Sequence, residues 1–212
     1  MRAYYAARAN EYDGIYRKPE RQTDLRAIEA WLPSRFDGRE VLEIACGTGY
    51  WTQFIAARAS SMVAVDAAAE TIRIAESRVP KDKVRFVIGD AYALPDGLGD
   101  FDAVFAGFWF SHVLVARRHA FLSGLAKVIK PGARVILLDN RFVPGSSTPI
   151  SERDADGNTY QVRRLNDGST HRVLKNFPTE KELQAAIAGL GTDGTLREWQ
   201  YYWAFEYIAA RR

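Results

Sequence analysis

Cysteine is nearly absent. Its single occurrence in 212 residues, Cys46, excludes an internal disulfide and any multi-cysteine zinc site, and it fits a reducing, cytoplasmic setting. Histidine is scarce too: His112, His119 and His171 include no pair at helical metal spacing, so no metal is expected. No apolar run approaches the ~20 residues a membrane span needs, and the opening M-R-A-Y-Y-A-A-R-A has no apolar stretch of the signal-peptide kind. A soluble chain with no membrane partner is the expectation. A dominant charge is missing as well. Lys and Arg exceed Asp and Glu by only 29 to 26, and the arginine pairs at 117–118, 163–164 and 211–212 are scattered, which argues against a nucleic-acid partner. Repeats, low-complexity tracts and linkers are lacking, so residues 1–212 are expected to form one domain.

What is present centres on residues 41–52, V-L-E-I-A-C-G-T-G-Y-W-T. An apolar run followed by Gly47 and Gly49 is how a buried parallel strand hands over to a helix while a ligand approaches the backbone closely. A phosphate-binding P-loop would need Lys-Ser or Lys-Thr after its second glycine, and Gly49 is followed by Tyr50 and Trp51. In a dinucleotide fingerprint starting at Gly47 the last glycine would be Thr52, and Glu43 at the strand end would repel a pyrophosphate. A carboxylate there suits instead a ligand with a cationic ammonium group and no phosphate. Asp66 ends the next apolar run, S-M-V-A-V-D, about twenty residues beyond the glycine turn, where nucleoside-binding sheets place an acid for the ribose hydroxyls.

E-I-A-C-G-T-G resembles the first motif of class I S-adenosylmethionine-dependent methyltransferases, acid-x-Gly-x-Gly-x-Gly, with Ala45 in place of the first glycine. Two further stretches are similar to that family: G-D-A-x-x-L-P at residues 89–95, and L-x-x-V-I-K-P-G-A-x-V-I-L ending at Leu137. The resemblance spans about residues 39–140. It implies S-adenosylmethionine as cofactor, with S-adenosylhomocysteine as product and no metal. The implied cofactor residues are Glu43, Ala45, Gly47, Gly49, Asp66 on the ribose, Ala67 near adenine, Asp90 and Ala91 on the adenine edge, and Phe108.

After the fourth strand come Phe108, Trp109, Phe110 and His112, at the end of the sheet where ligands sit. No N-P-P-aromatic turn is present, which disfavours adenine-N6 and glutamine-type methylation, and the aromatic wall suits a flat, apolar acceptor and a cationic sulfur. His112 reads either as a general base, needed only for an acceptor that must lose a proton, or as a histidine satisfied by a backbone carbonyl. Trp109, with Asp139, Asn140 and Arg141 after the fifth strand, supplies further candidate acceptor contacts. Tyr4 and Tyr12 lie in an N-terminal helical segment, residues 1–36, readable as a lid or as an aromatic helix face packed on the domain edge.

The expected fold is α/β: a Rossmann-like, doubly wound sheet, mostly parallel with a C-terminal antiparallel strand, plus N-terminal helices and an inserted β-hairpin. The cofactor core is residues 39–140, with a strand at 40–45, a helix at 49–58 and a fourth helix running to the K-P-G turn at 130–132. Turn signals frame the hairpin within 143–177, which could shape the pocket, form an edge or serve a homodimer. The capping box T-E-K-E opens a helix in 178–212, followed by strand-like alternation. Together these predict methyl transfer to a small, aromatic or apolar acceptor by in-line displacement. RNA or protein methylation, and a cofactor-binding scaffold without catalysis, stay open as alternatives.

Overall fold

The computed structural model describes residues 8–9, 11–80 and 82–210. Among them run the strands β1 (Glu40–Ile44), β2 (Ser61–Asp66), β3 (Val84–Ile88), β4 (Phe101–Gly107), β5 (Ile129–Asn140), β6 (Glu152–Arg153), β7 (Thr159–Arg164), β8 (Thr170–Leu174), β9 (Gly191–Glu198) and β10 (Tyr202–Ala209). The α-helices are α1 (Gln22–Trp31), α2 (Thr52–Ala56), α3 (Ala69–Glu76), α4 (Arg118–Leu125) and α5 (Glu180–Ala186).

Seven strands form one sheet in the order β3-β2-β1-β4-β5-β10-β9. The first five are parallel, and β10 runs antiparallel to both β5 and β9. Apolar residues fill both faces because both are covered, as parallel sheets require. Successive residues divide between two cores with strand periodicity: Leu42, Ile44, Val104, Val135 and Leu137 pack on one face, Val41, Ala103, Phe105, Ile136 and Leu138 on the other. Leu25, Ile28 and Leu32 of the α1 segment belong to the second core, and Leu183 and Ala186 of α5 to the first. The capping box of α5 is made as expected, the Thr179 side chain accepting from the Glu182 N–H and the Glu182 carboxylate from that of Thr179.

Three local expectations change. The helix expected over 49–58 is reduced to Thr52–Ala56, because Gly47 and Gly49 sit at φ +56° and +77°, which an α-helix does not admit. The K-P-G segment does not end a helix: β5 begins at Ile129, paired with Phe101, and residues 130–133 form a bulge before pairing resumes at Ala103 and Arg134. Pro131 has no N–H to give a ladder and Gly132 turns at φ +78°, so the ladder bulges there. The N-terminal segment is partly 3₁₀, at Tyr12–Arg17, Pro19–Arg21 and Pro33–Phe36, rather than continuous α-helix.

The expected hairpin is β7–β8, extended by β6 into a small antiparallel sheet. Amides lock it to the segment after β4. The Asn158 side-chain oxygen Oδ1 accepts from the Val115 N–H at 2.8 Å, and the Asn176 backbone N–H donates to the Ser111 carbonyl at 2.8 Å. The insertion therefore stands over the carboxyl end of the main sheet.

Candidate functional site

The strand order reverses between β1 and β4, which opens a crevice beyond their carboxyl ends. A cavity of about 480 Å³ fills it, within the range of small-molecule sites. Its floor is the loop after β1. Ala45 and Gly47 line it at φ +54° and +56°. Asp66, at the end of β2, clasps that loop: one oxygen accepts from the Gly47 N–H at 2.8 Å, the other from the Ala68 N–H at 2.9 Å and the Thr71 hydroxyl at 3.0 Å. Three of about four carboxylate lone-pair positions are thereby used, and the carboxylate still faces the cavity. Ala67, Asp90 and Ala91 line it too, the Asp90 carboxylate accepting from the Tyr92 N–H at 2.9 Å. Phe108, at φ +57° and 6% exposed, and Trp109 close the far wall. Among the described residues the lining holds two carboxylates and neither lysine nor arginine. It suits an uncharged or cationic ligand and lacks the cations that usually hold a pyrophosphate.

Two expected cofactor residues stand elsewhere. Glu43 points to the Val41 face of the sheet, is 2% exposed, and does not line the cavity. Its carboxylate oxygen accepts from the Thr52 hydroxyl at 2.6 Å. Burial pushes this carboxyl up to about 8, with the Asp66 charge adding to the effect and the Thr52 hydrogen bond opposing it. Glu43 is therefore mostly protonated at neutral pH, and the repulsion of a pyrophosphate inferred from its charge does not arise from it. Gly49 also lies outside the lining; a Cβ there would meet the Cβ of Ala75 at 2.8 Å, so this glycine serves the packing of α3 on the loop.

A second cavity, about 280 Å³, adjoins the first and shares Tyr12, Phe108 and His112 with it. His112 is 4% exposed, and its Nδ1 lies 2.5 Å from the Leu174 carbonyl oxygen. A carbonyl only accepts, so Nδ1 carries the proton and the acceptor lone pair of the neutral ring is on Nε2. Burial, with the charges of Lys175 and Arg163, holds the imidazole well below its usual pKa. Beside it Lys175, 4% exposed, donates to Asp139 and to Ser111 Oγ, each at 2.6 Å. Burial alone would raise Asp139, but the attraction of Lys175 leaves it below the ordinary carboxylate range, while burial lowers Lys175.

The remaining expected acceptor residues separate. Asn140 lines the second cavity and accepts from Arg21 at 2.7 Å. Arg141 lines neither cavity: it donates to the Trp199 carbonyl at 2.8 Å and pairs with Glu198 at 3.1 Å, bracing the end of the β9–β10 hairpin. Phe110 is fully buried in the core, so the expected aromatic wall loses one member. Tyr4 lies outside the described residues. Cys46 packs, buried, inside the loop. The sequence reading missed Thr71, Ile88 and Tyr92 in the first cavity; a 56% exposed isoleucine ending a strand was the available signal for Ile88 only once its burial was known. It also missed the basic residues of the second cavity, which come from three distant segments and leave no local pattern.

The sequence of residues 41–132 matches a family described as a methyltransferase domain. A demethylmenaquinone methyltransferase from Clavibacter sepedonicus is 33% identical over 163 residues, 76% of this chain and 63% of that protein. A magnesium-protoporphyrin O-methyltransferase from Rhodobacter capsulatus is 40% identical over 91 residues, 41% of this chain and 40% of that protein. The chain spans about half the length of such relatives. A solved structure described as a DhpI–SAH complex superposes with a TM-score of 0.80 at 29% identity, covering 99% of this chain and 95% of that one. Matched motif region, sheet order and near end-to-end superposition agree: the chain carries a methyltransferase domain in the class I, S-adenosylmethionine-dependent methyltransferase fold.

Proposed function

We propose that the chain transfers the methyl group of S-adenosylmethionine to a small molecule. The observation that carries this reading is the first cavity: a glycine-bearing loop clasped by Asp66, two carboxylates and apolar walls, with no basic side chain among the described residues of the lining. That donor set fits a nucleoside with a cationic tail. Asp66 and Asp90 would take the ribose and adenine edges, the Ala91 N–H an adenine ring nitrogen, and Phe108 and Trp109 the sulfonium side. Bound S-adenosylmethionine supplies an electrophilic methyl on a positively charged sulfur. The protein's part is alignment, since effective molarity contributes on the order of 7–11 kcal/mol, more than a single general base. The acceptor would sit in the second cavity, meeting the first at Tyr12, Phe108 and His112. Relatives named for a menaquinone precursor and a porphyrin support a small-molecule acceptor. The second cavity, at about 280 Å³, favours that over RNA or protein.

The test is thermal melting with S-adenosylhomocysteine. At a hundredfold excess over Kd it should stabilise the fold by ~2.7 kcal/mol, a rise of roughly 5–11 °C at ~2–4 °C per kcal/mol for this chain length. No shift at millimolar ligand would overturn the cofactor assignment and favour a non-catalytic scaffold.

A further inference from the structure

The second cavity is electrostatically the opposite of the first. Among the described residues Arg8, Lys18, Arg21, Arg163, Arg164 and Lys175 line it, against the single carboxylate of Glu11, and of these cations Lys175 is already paired with the buried Asp139. These cations come from the N-terminal segment, β7 and the end of β8, so only the fold gathers them. Arg21 is the fixed member. Only 5% exposed, it donates from Nε to Ser146 Oγ at 3.0 Å and from Nη1 to Asn140 at 2.7 Å, and its guanidinium lies 5.3 Å and 5.6 Å from the rings of Tyr201 and Tyr202. Lys18 donates to the Ser146 carbonyl at 2.5 Å. Both thus place donors on neutral oxygens, while Glu20 reaches the group through the hydroxyl of Ser146 at 2.7 Å. Arg163 is set by its neighbour Gln161, whose side-chain oxygen accepts from Nη2 at 2.9 Å. Burial holds the Lys175 ammonium down against the attraction of Asp139, and the charges of Arg163 and Arg21 add to the lowering. Like charges gathered around one small cavity repel, and a bound anion relieves that repulsion while accepting charge-assisted hydrogen bonds.

Building on the methyl-transfer reading above, we infer that the acceptor is a small organic oxyanion, a carboxylate or a phosphoryl or sulfonyl acid, whose charged head is held by Lys18, Arg21 and Arg163. The remaining lining fits the organic part of such a molecule: Tyr12, Ile15, Phe108 and Phe177 give it an apolar side, and the head lies among the basic groups. The acceptor then retains the aromatic or apolar character expected from the segment after β4, with a charge that the sequence order concealed.

The experiment is calorimetric titration of the full chain saturated with S-adenosylhomocysteine, using benzoate, phenylphosphonate and benzenesulfonate, with benzyl alcohol as the neutral counterpart. At least one anion should bind at least tenfold more tightly than the alcohol, and the preferred head group separates carboxylate from phosphoryl and sulfonyl chemistry. Lys18→Gln and Arg163→Gln should each weaken that anion roughly tenfold, the loss of about one charge-assisted hydrogen bond, with the affinity for S-adenosylhomocysteine unchanged. Arg58→Gln, which removes an exposed cation paired with Asp37 away from both cavities, should change neither. Anions bound no better than the alcohol, or variants without effect, or an equal loss in Arg58→Gln, would overturn the inference while leaving the cofactor reading intact. Failure of S-adenosylhomocysteine to bind would instead overturn the cofactor reading, and the same titrations on the unloaded protein then decide the anion site separately.

Discussion

Replacing Glu43 by glutamine separates two roles that the strand-end acid could have. The wild-type carboxyl moves from an ordinary 4.5 to about 8 on folding, chiefly through burial. A carboxyl whose folded pKa is raised binds more protons in the native state than in the unfolded one. Its contribution is fully present below about 4.5 and is lost as the pH climbs through 8. Between pH 5 and pH 8 that amounts to about 3–4 kcal/mol at ~1.4 kcal/mol per unit. Glutamine keeps the shape, can still meet the Thr52 hydroxyl, and does not titrate. The difference in stability between Glu43→Gln and wild type should therefore grow in the variant's favour by that amount from pH 5 to pH 8. At ~2–4 °C per kcal/mol this is roughly 10 °C of relative melting temperature. Taking the difference between two proteins at each pH cancels every other titrating group that the substitution does not touch. The assay is thermal melting of both unliganded proteins at pH 5, 6, 7 and 8. A difference that stays flat across the series would show Glu43 ionised in the fold and refute the reasoning. The same variant should keep its affinity for S-adenosylhomocysteine, because Glu43 does not line the cavity; a loss of tenfold or more by calorimetry would return the residue to the ligand.

Asp66→Asn should weaken S-adenosylhomocysteine at least tenfold and cost about 1–2 kcal/mol of stability, since one of the two oxygens that clasp Gly47, Ala68 and Thr71 becomes a donor; unaltered affinity by calorimetry would remove Asp66 from the cofactor site. Ala45→Gly should raise the melting temperature by roughly 1–4 °C, because alanine at φ +54° carries ~1 kcal/mol of left-handed strain that glycine lacks, and a fall would mean that the methyl group packs more favourably than the backbone suffers. Asp139→Asn leaves the Lys175 ammonium buried without its carboxylate and should cost ~3–5 kcal/mol in urea unfolding, with much of it recovered when Lys175 is changed to methionine as well; a loss under 1 kcal/mol would show that water reaches the pair.

The core of the fold was legible because each of its signals is local. β1, β2 and β4 are apolar runs with definite ends, and the Thr179 capping box needs four residues to be read. Asp66, Asp90 and Phe108 were legible for a related reason: a parallel sheet puts every strand's carboxyl end on one edge, so a residue's place at a strand end already fixes its neighbourhood. Glu43 shows where that logic stops. It is one residue short of the strand end, and strand periodicity aims it at the α1 side, away from the crevice. The K-P-G bulge was misread because proline and glycine signal a break without saying whether the ladder ends or resumes. The second cavity was invisible for a different reason. Arg21, Asn140, Arg163 and Lys175 are far apart in sequence, and two of them, Arg163 and Lys175, reach the site on an insertion whose docking depends on Asn158 and Asn176.

His112 at the cavities and Glu43 behind them are two buried groups with opposite linkage to pH, and together they make a prediction that neither makes alone. His112 is held well below 6.5 by burial and by the cations Lys175 and Arg163. A histidine with a depressed native pKa takes up its proton more readily in the unfolded chain, so its contribution is present above about 6.5 and is lost as the pH falls below it. Glu43 acts in the reverse sense, losing its contribution as the pH rises toward about 8. Below about pH 6.5 the histidine's loss on acidification offsets the glutamate's gain, so these two groups should hold the unliganded protein on a plateau there, with a decline from about 6.5 to 8 as Glu43 ionises. Glu43→Gln should remove the alkaline decline and uncover an acid-side loss below 6.5. His112→Gln, which can still donate to the Leu174 carbonyl, should remove the plateau, so that stability falls steadily from pH 5 to pH 8. Melting curves from pH 5 to pH 8.5 on the three proteins decide it, and a plateau that survives in His112→Gln would assign it to other groups. The depressed pKa also makes His112 a weak base, which accords with an acceptor that arrives already deprotonated: its activity profile should show no limb near 6.5, and a limb there would mean that the imidazole titrates normally in the loaded site.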